Sequence, residues 1–167
     1  MTFPIQIRPT DAVRELVDLS QKAAQNLSFI RDNDIQIGTT PKEVVYREDN
    51  IVLYHYIPTV KKPFKIPVLI VYALVNRPYM VDLQENRSLV RNLLAEGIDV
   101  YLIDWGYPQR GDRWLTVDDH VNGYIDACVG VVRQRHGLEE INLLSICQGG
   151  TLSLCYTALH PEKIKNL

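Results

Sequence analysis

The feature that most limits the fold is an alternation that begins near residue 66. "IPVLIVY", "IDVYLID" and "EINLLSI" are almost wholly apolar, and a longer stretch of helical spacing follows each. A strand with one wet face alternates apolar and polar residues, whereas a strand covered on both faces is apolar throughout. The covering helices are predicted over "ENRSLVRNLLAE", stopped by Gly97, and "TVDDHVNGYIDACVGVVRQRH", ended by Gly137. A third spans "QGGTLSLCYTALH", which stops at Pro161. Thr116 and Asp119 have capping-box spacing at the head of the second. Strand and helix in strict succession predict an α/β chain, a mostly parallel sheet with helices on both faces. The closing "KIKNL" reads as the entry to a further strand that is not delivered, so the sheet is expected to stop midway.

Ahead of the alternation, "EVVYR" and "IVLYHYI" flank "EDN" and predict a hairpin. Further upstream, Thr10 can cap a helix that places Val13, Leu16, Val17, Ala24 and Leu27 on one face. The polar "RDNDIQIGTTPKE" separates this arm from the rest. Two parts are expected, an amphipathic arm and linker over 1–40 and an α/β domain over 41–167. The arm reads first as packing on its own domain, with docking against another subunit as the alternative.

Composition excludes more than it assigns. A formal charge of −2 gives no reason to expect nucleic acid or an anionic membrane as partner. No stretch approaches the roughly 20 apolar residues that span a bilayer, and no transmembrane segment is expected. The opening "MTFPIQIRPT" lacks the basic and apolar regions of a secretory leader. The three cysteines, Cys128, Cys147 and Cys155, lack metal-ligand spacing and suit a reducing cytoplasm. No metal and no cofactor is expected.

The chemistry sits in "NLLSICQGGTLSL", residues 142–154, where a strand turns into a helix. Ser145–Ile146–Cys147–Gln148–Gly149–Gly150 has the small-x-nucleophile-x-glycine pattern of a nucleophile elbow. In open α/β sheets, ligands bind beyond the carboxyl ends of the strands, and Cys147 lies at such an end. Small residues are expected at Ser145, Gly149 and Gly150 because the helix passes close to the strand. Ser145 stands where the first glycine is usual. The helix N-terminus favours an anion by roughly 0.3–1 kcal/mol, which leaves the thiolate a minority at neutral pH, so a base is still wanted. The Gln148 N–H is one expected oxyanion donor. Cys128 and Cys155 read as small apolar fillers on helix faces.

No base is in reach along the chain. His160 lies 13 residues beyond Cys147, about 20 Å along a helix. His55, His120 and His136 read as surface or capping residues, and Asp104 as a loop cap at the catalytic edge of the sheet.

The blocks "LIVYALVNRPYMVDLQENRSLVRNLLAEGIDVYLIDWGYP", "DDHVNGYIDACV" and "NLLSICQGGTLSLCYTALHPEKIKNL" closely resemble polyhydroxyalkanoate synthases, from about residue 41 to the end. The opening "FPIQIRP" fits the two-subunit, short-chain type. The resemblance implies an α/β-hydrolase fold, truncated after the nucleophile helix, and polymerisation of 3-hydroxyacyl-CoA, with 3-hydroxybutyryl-CoA as the expected substrate. It implies a cytoplasmic enzyme at the surface of the storage granule, oligomeric when complete and joined by a companion synthase subunit. Cys147 matches the family's acyl-carrying thiol, and Val75 the place whose N–H completes the oxyanion hole with Gln148. The family's histidine and aspartate have no matching positions in these 167 residues, so the chain alone is expected to be inactive and poorly soluble. Two rivals remain, a cysteine hydrolase of the dienelactone hydrolase type and a non-catalytic fragment that only binds a partner subunit.

Overall fold

A computed structural model describes residues 13–14, 16–22 and 37–167. The chain divides into two units, Met1–Gln36 and Ile37–Leu167. Residues 13–14 and 16–22 are helical, while the expected cap Thr10 and the apolar positions Ala24 and Leu27 lie outside the described residues. The second unit starts a few residues before the expected boundary at 40. Gly38 N–H donates to the Asp82 carbonyl (2.8 Å), and Thr40 donates twice to the Asp82 carboxylate, so these linker residues are bonded into the α/β unit.

The hairpin forms as expected from β1 (Lys42–Glu48) and β2 (Ile51–Tyr56), paired antiparallel. Its turn places Asp49 at φ 46°, a left-handed conformation that aspartate tolerates. The alternating region then delivers β3 (Val68–Val71), β6 (Val100–Asp104) and β7 (Ile141–Ser145). Between β3 and β6 lie two short strands that the apolar pattern does not predict, β4 (Asp82–Gln84) and β5 (Arg87–Ser88), which form their own ribbon. The first covering helix is correspondingly shorter than expected. It is α1 (Leu89–Ala95), because Ser88 caps it by accepting the Arg91 N–H (3.0 Å).

The six-stranded sheet runs β1-β2-β6-β3-β7-β8, with β3, β6 and β7 parallel. β8 (Ile164–Asn166) corrects the expectation that the last strand is never delivered: it pairs in parallel with β7, Ile164 beside Ile141 and Asn166 beside Asn142. Thr116 and Asp119 exchange the reciprocal capping-box hydrogen bonds. The helix they open is π-helical over Asp119–Ile125 before it becomes α2 (Asp126–His136). Gly137 ends it at φ 61°. The last helix, α3 (Gln148–Leu159), follows β7 directly.

Strand pleating divides the core in two. Leu69, Val71, Tyr101 and Ile103 point to the face covered by the π-helical turns, α2 and α3, through Ile125, Val129, Val132 and Tyr156. Ile70 and Leu102 point to the other, against Val90 and Leu94 of α1. Cys128 is buried in the first cluster, as expected, and burial pushes its thiol up to about 12. Cys155 departs from expectation: it is exposed, on a helix face that also exposes Leu154 and Leu159. The apolar pattern of α3 does not reveal which of its faces the sheet covers.

Candidate active site

Because β3, β6 and β7 are parallel, Val71, Asp104 and Ser145 end at one edge of the sheet, and the loops after them meet there. The chain leaves β7 with the Ile146 N–H bonded to the Val71 carbonyl (3.1 Å). It then reverses through Cys147, at φ 58° and ψ −127°. Two short-range bonds close the turn, Gly149 N–H to the Ile146 carbonyl (3.1 Å) and Gly150 N–H to the Cys147 carbonyl (2.9 Å). A β-carbon-bearing residue at this φ is strained, at a cost of order 1–3 kcal/mol, and such strain concentrates at functional sites. The result is an exposed thiol at the head of α3.

The three small residues around the thiol do different things. A Cβ at Gly149 would sit 2.1 Å from the Val71 carbonyl oxygen and 2.8 Å from that of Tyr72, so only glycine lets α3 lie this close to β3. At Gly150 a Cβ would meet nothing within 4 Å, which corrects the expectation that both glycines are needed for space. Ser145 fits where glycine is usual because its hydroxyl donates to the buried Ser153 hydroxyl (2.6 Å). The larger side chain is absorbed by a hydrogen bond.

The two expected oxyanion donors lie on linked segments. The Gln148 N–H opens α3, where the first N–H groups of a helix lack intrahelical partners. Val75 lies in the loop after β3, and the Leu74 N–H beside it donates to Oε1 of Gln148 (3.2 Å). Neither the Gln148 nor the Val75 N–H has a hydrogen-bond partner among the described residues. The Gln148 side chain thus ties the residue before Val75 to the head of α3.

The histidines are engaged elsewhere. His120 bonds the Thr116 carbonyl (2.7 Å) and His160 the Asn122 side chain (2.8 Å). His55 and His136, expected in surface or capping roles, are drawn together instead. Both are half-buried against Asp99, at 2.7 and 3.5 Å, at the end of the sheet where β6 begins, with the Tyr101 ring stacked on His55. Burial lowers His55, but its hydrogen bonds to Asp99 and Glu43 outweigh that and leave it above the usual histidine value. For His136 burial prevails over Asp99 and leaves it lowered. Asp104 caps its loop as expected, accepting the Gly106 N–H (2.9 Å), and is also paired with Arg77.

Sequence reasoning missed a cavity of about 450 Å³ beside the Val75 loop, walled by Leu74, Val75, Arg77, Trp105, His120 and Tyr124. Its residues come from four separate segments, so no local pattern marks it. Among the described residues, no cluster of three or more His, Cys, Asp or Glu is placed to hold a metal ion, and no helix is long and apolar enough to cross a membrane.

Residues 66–167 match the alpha/beta hydrolase fold family, and residues 10–93 match the family described as the poly-beta-hydroxybutyrate polymerase N-terminus. A poly(3-hydroxyalkanoate) polymerase subunit from Synechocystis sp. is 56% identical over the whole chain, which covers 45% of that protein. One from Allochromatium vinosum is 54% identical over 99% of the chain and is covered to 47%. The chain therefore spans somewhat less than half the length of these curated relatives. Among solved structures, a sugar hydrolase from Lactococcus lactis superposes with a TM-score of 0.52 at 19% identity, over 69% of this chain and 46% of that one, a likeness of fold.

Proposed function

Because the chain belongs to the poly(3-hydroxyalkanoate) polymerase family, on an α/β-hydrolase fold, we propose that it carries the acyl-accepting thiol of such a polymerase. One observation carries the reading: Cys147 is exposed, at φ 58°, between β7 and the N-terminus of α3. The substrate is a 3-hydroxyacyl-CoA, with 3-hydroxybutyryl-CoA the expected one.

In the first step the Cys147 sulfur, deprotonated, attacks the thioester carbonyl. The negative charge that develops on oxygen is met by the N–H groups of Gln148 and Val75. Collapse expels CoA as its thiol and leaves the acyl group on Cys147, one thioester exchanged for another. The 3-hydroxyl of a second acyl group then attacks that thioester, an oxygen ester forms, and a thiol is released. This step runs downhill and lengthens the polymer. A thioester suits repeated transfer better than the less reactive ester a serine would form.

The base that takes the thiol proton, and the carboxylate that assists the hydroxyl, come in this reading from the remaining length of the polymerase. All four histidines of this chain are bonded away from Cys147. The 167 residues alone are then inactive, and activity belongs to the full-length enzyme with its companion subunit at the surface of a cytoplasmic storage granule. The test is to incubate full-length enzyme with radiolabelled 3-hydroxybutyryl-CoA. Label is expected on the protein, and none in Cys147→Ala; acyl transfer that survives this change eliminates the reading. A cysteine hydrolase would instead release free acid without polymer.

A further inference from the structure

Val75 is 79% exposed, so its own side chain does little to hold its N–H in place. Two ties on either side do so instead. Toward the elbow, the Leu74 N–H is bonded to the Gln148 side chain (3.2 Å). Toward β6, two residues beyond Val75, the Arg77 guanidinium reaches across to the end of the neighbouring strand. Its Nη1 donates to the Gly106 carbonyl (2.6 Å), its Nη2 lies 3.2–3.3 Å from both Asp104 carboxylate oxygens, and the group stacks on the Tyr107 ring at 4.0 Å. Asp104 is itself 8% exposed and fixed by the Gly106 N–H. The Nε of the same guanidinium is buried without a hydrogen-bond partner.

We infer that Arg77, held by Asp104, is a positioning residue that fixes the Val75 N–H for the oxyanion. The inference rests on the polymerase reading and assigns a role to two residues that do not touch the reacting atoms. A planar guanidinium can bond a carboxylate and a carbonyl while stacked on a ring, which a lysine ammonium cannot reproduce. An oxyanion donor is worth on the order of 10²–10³ in rate when removed outright. Shifting it by about an ångström is expected to cost roughly ten- to a hundredfold.

The test compares two reactions of the same sulfur in the full-length enzyme. Alkylation of Cys147 by iodoacetamide displaces iodide at a tetrahedral carbon and forms no oxyanion. Acylation by 3-hydroxybutyryl-CoA passes through one. Arg77→Met is expected to slow single-turnover acylation by roughly ten- to a hundredfold, with alkylation within about twofold of wild type. Asp104→Asn keeps an oxygen for the Gly106 N–H and is expected to lose about three- to tenfold in the same selective way. The double variant is expected to be no slower than Arg77→Met, because both changes break one grip. Acylation at the wild-type rate in either single variant, or a parallel loss of both reactions in both, overturns the inference. Acylation that persists in Cys147→Ala would instead remove the polymerase reading beneath it.

Discussion

Replacing Gly149 by alanine should damage the protein far more than one added methyl group suggests. The new Cβ would lie 2.1 Å from the Val71 carbonyl oxygen and 2.7 Å from its carbon, whereas real Cβ atoms essentially never come closer than 3.0 Å. The obstacle is the main chain of β3, held between β6 and β7, so no side chain can rotate out of the way. The head of α3 must retreat by roughly 1 Å. Overpacking of this kind costs typically about 1–3 kcal/mol, and an unyielding backbone puts Gly149→Ala at the upper end. At about 2–4 °C per kcal/mol, a loss of about 3 kcal/mol lowers the melting temperature by roughly 6–12 °C. Gly150→Ala is the built-in comparison, because nothing lies within 4 Å of its Cβ position and it sits inside a helix. There alanine should stabilise by about 0.4–1 kcal/mol. Thermal melts of the two variants, followed by circular dichroism, decide the matter. Equal melting temperatures would refute the close-approach argument.

Two further outcomes follow from the backbone and the histidines. Cys147→Gly and Cys147→Ala both remove the sulfur, but only glycine relieves φ 58°, ψ −127°. The glycine variant should be about 1 kcal/mol more stable in urea titrations, and a more stable alanine variant would contradict the strain. His55 is raised, so its contribution to stability is complete below the unfolded-state value and is lost as pH rises through the folded one. His136 is lowered, so its contribution is complete above the unfolded-state value and is lost as pH falls. Stability compared between wild type and each of His55→Asn and His136→Asn from pH 5 to 8 should give slopes of opposite sign.

What the sequence makes legible is what local pattern encodes. The apolar runs at β3, β6 and β7, the hairpin around Asp49 and the Thr116–Asp119 box depend on neighbours in the chain, and each is found where expected. The position of Cys147 between strand and helix was legible for the same reason. The π-helical turns at Asp119–Ile125 were not, since a short segment does not separate one helical period from another. Nor were the encounters of distant residues: Arg77 with Asp104, Asp82 with Thr40, and His55 and His136 with Asp99. These pairings are decided by which strands become neighbours, and composition carries no sign of it. Gly149 and Gly150 look alike in the sequence, yet only one faces a carbonyl.

The strand order has a consequence for how the protein is made. β3 lies at the middle of the sheet, but both strands that flank it are translated later, and β7 is complete only at Ser145. At about 5–20 residues per second, the ribosome needs roughly 4–15 s to go from Val71 to Ser145. Throughout that interval Val68–Val71 has no permanent neighbour on at least one side. A nascent chain with so apolar a segment waiting is a natural client for chaperones, and slowing translation between codons 72 and 145 should lower the yield of native protein.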